Sequence, residues 1–224
     1  MSISAVQVKA LRDRTGAGMM DCKNALIEAD GNEEEALSII QKKGLAKVAK
    51  RAGAIAAEGL VNAYIHPGSR IGVLVEVNCQ TDFVARNEDF IDFVNQLSMH
   101  IASESPTCVR EEELDEAEVA KQRDIFVGQL EEEAKTSGKE KPAAAIEKIV
   151  EGKLAKWRKE TVLMDQVFVL AENKETISQI LEALSAKIGE KLSIRRFVRY
   201  ELGEGLEKRK NDLAADVAQT LGEA

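Results

Sequence analysis

The chain has 224 residues, 44% hydrophobic, 31% charged and only 4% aromatic, with a formal net charge of −8. That length suits one large domain or two small ones, and a charge of this sign repels polyanions, which excludes nucleic acid as the default ligand. No apolar run approaches the roughly 20 residues that span a bilayer, so no membrane helix is expected.

The first 44 residues predict three short helices. Ser4 and Gln7 make a capping-box pattern ahead of Val8 and Leu11, which share a helical face. Thr15-Gly-Ala-Gly18 interrupts the pattern at a turn. Met19, Cys22, Ala25, Leu26 and Ala29 then recur at helical spacing up to Asp30-Gly31, and burial is the ordinary expectation for such a stripe. Asn32 and Glu35 open a third helix that carries Leu37 and Ile40 and closes at Gly44. Residues 45–59 read as a linker helix, weak at Gly53 and Gly59. The basic cluster Lys42, Lys43, Lys47, Lys50 and Arg51 contains no acid, and a solvated helix face accounts for it better than a phosphate contact.

Leu60–His66 and Ile71–Asn78 flank Pro67-Gly68-Ser69-Arg70, the strongest hairpin signal in the chain, and the apolar density of Ile71–Val77 predicts a central strand. Phe90, Phe93, Val94, Leu97 and Ile101 mark a helix. Arg110–Ser137 and a second stretch through Ile146, Val150, Leu154 and Trp157 predict two amphipathic helices joined by a polar tip, a coiled-coil-like arm. Val162–Leu170 is apolar but irregular. Thr176 and Gln179 cap a helix with Ile177, Ile180, Leu181, Leu184 and Ile188, ended by Gly189. Leu192–Leu202 predicts a third strand in which Ile194, Val198 and Tyr200 alternate against Arg195, Arg199 and Glu201. Gly205–Leu221 predicts a closing helix with Leu213, Val217 and Leu221. The sum is an α+β fold: a three-helix module, a small antiparallel sheet with covering helices, and the arm.

Catalytic chemistry finds little support. The two histidines, His66 and His100, stand far apart in the pattern, and a solvated or half-buried role suits both. Cys79 follows a strand, yet no base is placed beside it. Gly16-x-Gly18 lacks the preceding strand and third glycine of a dinucleotide site, and no Walker, H-E-x-x-H or zinc pattern occurs. No cofactor or metal is therefore expected. Three cysteines (Cys22, Cys79, Cys108), no C-x-x-C pair and no apolar signal core predict a reduced, cytoplasmic setting.

The most informative stretch is Asn78-Cys-Gln-Thr-Asp-Phe-Val-Ala-Arg86, where the central strand gives way to a helix. Thr81 is placed to cap that helix, and Asp82 and Phe83 stand at its start. Two readings fit Phe83: a core ring, or a probe held on a rigid base for insertion into something else. Asp82 is likewise either a charge complementing the helix dipole or part of that probe.

These residues carry a resemblance. Leu11-Arg-Asp-Arg-Thr-Gly-Ala-Gly-Met-Met-Asp-Cys-Lys-Asn-Ala-Leu26 is similar to the N-terminal signature of the elongation factor Ts family, and Ile71–Arg86 resembles its second signature. Ile146-Glu-Lys-Ile-Val-Glu-Gly152 and Ile194–Gly205 match later segments in the same order, so the resemblance runs nearly end to end. It implies a nucleotide exchange factor for the GTPase EF-Tu, with no active site of its own. It further implies that residues 1–44 form a ubiquitin-associated-like module gripping the G domain through Arg12, Met19 and Met20. Asp82 and Phe83 would insert between two G-domain helices near Mg²⁺ and the phosphates, with Thr81 and Val84 beside them as partner-binding residues. The C-terminal module, 204–224, would add Val217 and Leu221, for which core packing is an equal reading. The remaining divisions are core segments 60–109 and 161–203 and the arm 110–160. Only one hairpin-plus-signature set is present, so the chain resembles the short form, for which a homodimer giving a 2:2 complex with EF-Tu is an expectation. Gln166-Val167-Phe168 stands where the family usually has Gln-Pro-Phe, a change confined to a loop. Two readings come from other classes: a helical adaptor without exchange activity, which leaves Asn78–Arg86 unexplained, and an enzyme using Cys79, which predicts turnover sensitive to thiol alkylation in the absence of any GTPase.

Overall fold

Helix boundaries in the computed structural model, which describes residues 3–50, 56–137 and 142–206, follow the capping chemistry closely. Helix α1 (Ala5–Thr15) starts at the Ser4–Gln7 capping box and ends at Gly16, whose φ of 66° only glycine adopts freely. Helix α2 (Met19–Glu28) follows, and α3 (Glu33–Lys50) begins where Asn32 Oδ1 accepts the Glu34 and Glu35 N–H groups. Val8, Leu11, Cys22, Ala25, Leu26, Ala29 and Ala36 form a separate apolar cluster among these helices.

Gly44 does not end α3, contrary to the expectation. The helix runs through it, and Gly44 is buried against helix α8 (Ile177–Ile188). A Cβ there would lie 2.8 Å from the Ala186 carbonyl oxygen and 2.9 Å from the Ala186 side chain. Hydrogen at this position lets two helix backbones approach closely, a packing reason that local sequence rules read as a stop signal.

Strands β1 (Glu58–Ile65), β2 (Ile71–Cys79) and β3 (Ser193–Glu201) form an antiparallel sheet in the order β1-β2-β3, with β2 central as predicted. One sheet face, carrying Val73, Val75, Val77, Cys79 and Ile194, packs on helix α5 (Glu88–Glu104), and Ile177 and Leu181 of α8 join them in the largest apolar cluster among the described residues. The expected alternation along β3 holds only at Ile194. Glu76 pairs with Arg196 but Val77 pairs with Ile194, so Arg195 is an extra, bulged residue. Beyond it the faces invert: Phe197 packs on the core, while Val198 and Tyr200 are exposed. Arg199 turns inward, and its Nε donates to the Ala102 carbonyl at 3.3 Å.

The arm consists of α6 (Glu116–Ser137) and α7 (Ala143–Thr161), held by Leu130, Val150 and Leu154 with Phe126, Ile146 and Trp157 around them. Its root is tied to the core by Arg110, which donates to the Ile194 carbonyl at 3.0 Å. His100 is fully buried rather than half-solvated. Its Nδ1 accepts from the Val169 N–H at 3.2 Å, so Nε2 carries the proton and donates to Gln166 Oε1 at 2.9 Å. Among the described residues no helix is long and apolar enough to cross a membrane.

Candidate functional site

The strand-to-helix junction folds as a short protruding tip. β2 ends at Cys79, and Thr81 caps a four-residue helix, α4 (Asp82–Ala85). The Thr81 hydroxyl accepts from the Val84 N–H at 3.5 Å, a long but recognisable cap. Asn87 then caps α5 through the Phe90 N–H at 3.3 Å. Two turns closed within seven residues leave the backbone little freedom, so the side chains on α4 have fixed directions.

Those directions separate neighbours sharply. Phe83 is 80% exposed, whereas Val84 is 8% exposed and Ala85 9%. The core reading of Phe83 is thereby removed: Val84, Ala85 and Phe90 fill the core at this corner, and the ring stands in solvent. The family resemblance places Val84 among the partner-facing residues, but its side chain belongs to the core beneath the tip. Asp82 lies beside the ring, paired with Arg86 at 3.1 Å on the same helix.

The tip is anchored from beneath by Glu190, just past the end of α8 and outside the segments singled out in the sequence. Its carboxylate accepts from the Gln80 N–H at 3.2 Å, the Thr81 N–H at 3.1 Å and the Thr81 hydroxyl at 2.9 Å. The Cys79 thiol donates to the Thr81 carbonyl at 3.1 Å. Burial, reinforced by the Glu190 charge, pushes that thiol above its ordinary value. Cys79 is thus a buried donor held away from the thiolate form, the opposite of an activated nucleophile.

In the N-terminal helices, Arg12 is exposed, and Met19 and Met20 are 50% and 64% exposed. The buried stripe of α2 begins at Cys22, so Met19 does not belong to it. Two adjacent methionines in solvent, on a helix whose other face is fully packed, present a soft apolar surface suited to a protein partner. Val217 and Leu221 lie outside the described residues.

A second apolar surface lies on the outer face of the sheet. It carries the cross-strand rows Ile65–Gly72–Tyr200 and Ala63–Leu74–Val198, with Val61 beside them. Ile65, Leu74, Val198 and Tyr200 are all exposed. An outward sheet face is ordinarily polar. Here only one end is: Glu76 accepts from Arg195 and Arg196 at 2.7 Å each. Those two bonds, Arg195 first, hold its carboxyl well down, at about 2. The bulge at Arg195 is what turns Val198 and Tyr200 outward, a signal that alternation counting alone could not supply.

Among the described residues no group of three His, Cys, Asp or Glu side chains is arranged to hold a metal ion.

Comparison with known proteins identifies the family. The family model "Elongation factor TS" matches residues 8–204. Elongation factor Ts of Desulforamulus reducens is 52% identical over 219 residues, covering 98% of each chain. Elongation factor Ts of Alkaliphilus metalliredigens is 51% identical over 222 residues, and that of Myxococcus xanthus 50% over 222, each alignment covering 99% of both chains. The chain therefore belongs to the elongation factor Ts family.

Proposed function

We propose that this chain releases GDP from EF-Tu by inserting Phe83, with Asp82 beside it, into the G domain of the GTPase near its Mg²⁺ and phosphate site. Membership of the family makes the chain a nucleotide exchange factor for EF-Tu in translation elongation, binding EF-Tu and having no active site of its own. The observation that carries the wedge is the 80% exposure of Phe83 on a base whose next residues are buried.

The energetics are those of linkage. A partner that binds the nucleotide-free GTPase more tightly must weaken nucleotide binding by the same factor. Burying a phenylalanine contributes about 1.5–3 kcal/mol, equivalent to roughly ten- to a hundredfold in affinity. That gain is available only to the form of the GTPase whose helices admit the ring. Disturbing the groups around Mg²⁺ weakens GDP without any contact to the nucleotide. In this reading residues 1–44 grip the G domain through Arg12, Met19 and Met20, Thr81 and Val84 seat the tip, and the segment 204–224 adds Val217 and Leu221. The test is release of fluorescently labelled GDP from EF-Tu. Native chain accelerates it, and Phe83→Ala and Asp82→Ala each reduce the acceleration; undiminished acceleration by both variants removes the wedge.

A homodimer, two chains with two EF-Tu molecules, is favoured by the outer sheet face. Its rows of Ile65, Leu74, Val198 and Tyr200 are apolar, exposed and bounded by the Glu76–Arg195–Arg196 cluster. A two-fold axis through such a patch pairs it with itself.

A further inference from the structure

We propose that Glu190 is a positioning residue for exchange, the group that aims Phe83; this rests on the wedge reading above. Its location is electrostatically unfavourable taken alone. Helix α8 ends at Gly189, with φ 80°, and Glu190 follows at once, so a carboxylate sits at the negative end of the helix dipole. The residue is also only 8% exposed, and a buried carboxylate is costly unless fully hydrogen-bonded.

The compensation comes from the tip. The Gln80 N–H, Thr81 N–H and Thr81 hydroxyl converge on the two carboxylate oxygens, from residues 109 and 110 positions away in sequence. All three partners are donors, which a carboxylate, an acceptor only, satisfies without conflict. By accepting the hydrogen bond that the Thr81 hydroxyl donates, Glu190 orients a Thr81 lone pair toward the Val84 N–H, so it sets the cap of the helix that carries Phe83. One turn earlier Lys187 pairs with Asp89 at 2.8 Å, fixing α8 to the start of α5 on the far side of the tip. The end of α8 thus holds the two residues just before the Phe83 helix through Glu190 and the start of α5 just after it through Lys187.

The test uses EF-Tu loaded with fluorescent GDP, mixed with rising concentrations of native chain, Glu190→Gln, Phe83→Ala and the double variant. A glutamine amide keeps one acceptor oxygen for the two backbone N–H groups but sets an N–H donor where the Thr81 hydroxyl now donates, so that charge-assisted bond is lost. Glu190→Gln is expected to lower the plateau rate of GDP release about tenfold, the scale of one charge-assisted hydrogen bond, while the half-saturating concentration changes less than about twofold. Added to Phe83→Ala, the same substitution should cost nothing further, because there is no longer a ring to aim. A plateau unchanged by Glu190→Gln, or an equal loss in both backgrounds, overturns the proposal. A native plateau in Phe83→Ala overturns the wedge itself, a separate result. If Glu190→Gln folds poorly by circular dichroism, Thr81→Val removes the hydroxyl link together with the cap it sets on the Val84 N–H, keeps both backbone N–H bonds to Glu190, and must show the same dependence on Phe83.

Discussion

Phe83 and Val84 are adjacent, similar in hydrophobicity and opposite in fate, and that contrast rests on α4 being pinned at both ends. The sequence showed the ring and its cap but not its exposure, because a ring after a strand is equally at home in a core. Glu190 was invisible for a different reason: its three partners lie far away in sequence and share no periodic pattern with it. Val167 illustrates a residue whose effect is legible once the backbone is known. The local bridge is closed by the Phe168 N–H to Glu175 and the Ile177 N–H to Gln166, so the Val167 N–H is not among its bonds. Gln166 already has φ −66° and ψ 141°, the conformation a following proline demands. Val167→Pro is therefore expected to stabilise by about 0.4–1 kcal/mol, raising Tm by roughly 1–4 °C in thermal unfolding.

His100 makes a second prediction at this scale. Burial, partly offset by its bond to Gln166, holds its pKa below the ordinary 6.5. The unfolded chain then binds the extra proton first, so stability is present above about pH 6.5 and is lost as pH falls through the lowered folded value. Glu104, whose charge opposes the shift, and Gln166 are the polar side chains acting on the ring, with Phe168 stacked beside it. Denaturant titrations between pH 7 and 5 should show this loss. His100→Gln should flatten the slope, by at most about 1.4 kcal/mol per pH unit.

At the scale of elements, capping chemistry located the starts of α1, α3 and α8, and hydrophobic density located the central strand. What failed was inference from single residues whose reason is tertiary. Gly44 looked like a helix stop and is instead the crossing point of α3 on α8; Val198 and Tyr200 looked inward-facing and are turned out by one inserted arginine. The helix crossing can be tested against a glycine with open space. Gly44→Leu must displace Ala186 and is expected to cost about 1–3 kcal/mol. Gly128, in α6, has open space where a Cβ would stand, and Gly128→Ala should instead stabilise by about 0.5–1 kcal/mol. Thermal unfolding of the two variants reads both signs.

At the scale of the whole molecule, the described residues form three apolar clusters: the N-terminal helices, the sheet with its covering helices, and the arm. The arm and the module were legible as separate amphipathic segments; the exposed sheet face was not, since its apolar rows exist only across three strands in register. If that face joins two copies, sedimentation over a concentration series will show a dimer, and Leu74→Lys with Val198→Lys will give monomer by placing like charges across the two-fold axis. A native chain that stays monomeric at every concentration contradicts the dimer.

The most direct test of the central claim separates grip from wedge in one titration of GDP release against chain concentration. Phe83→Ala should lower the plateau rate roughly tenfold or more and leave half-saturation nearly unchanged, whereas Met20→Ala should raise half-saturation and leave the plateau intact. Phe83→Ala reaching the native plateau, or both variants changing only the half-saturating concentration, would contradict a wedge at Phe83.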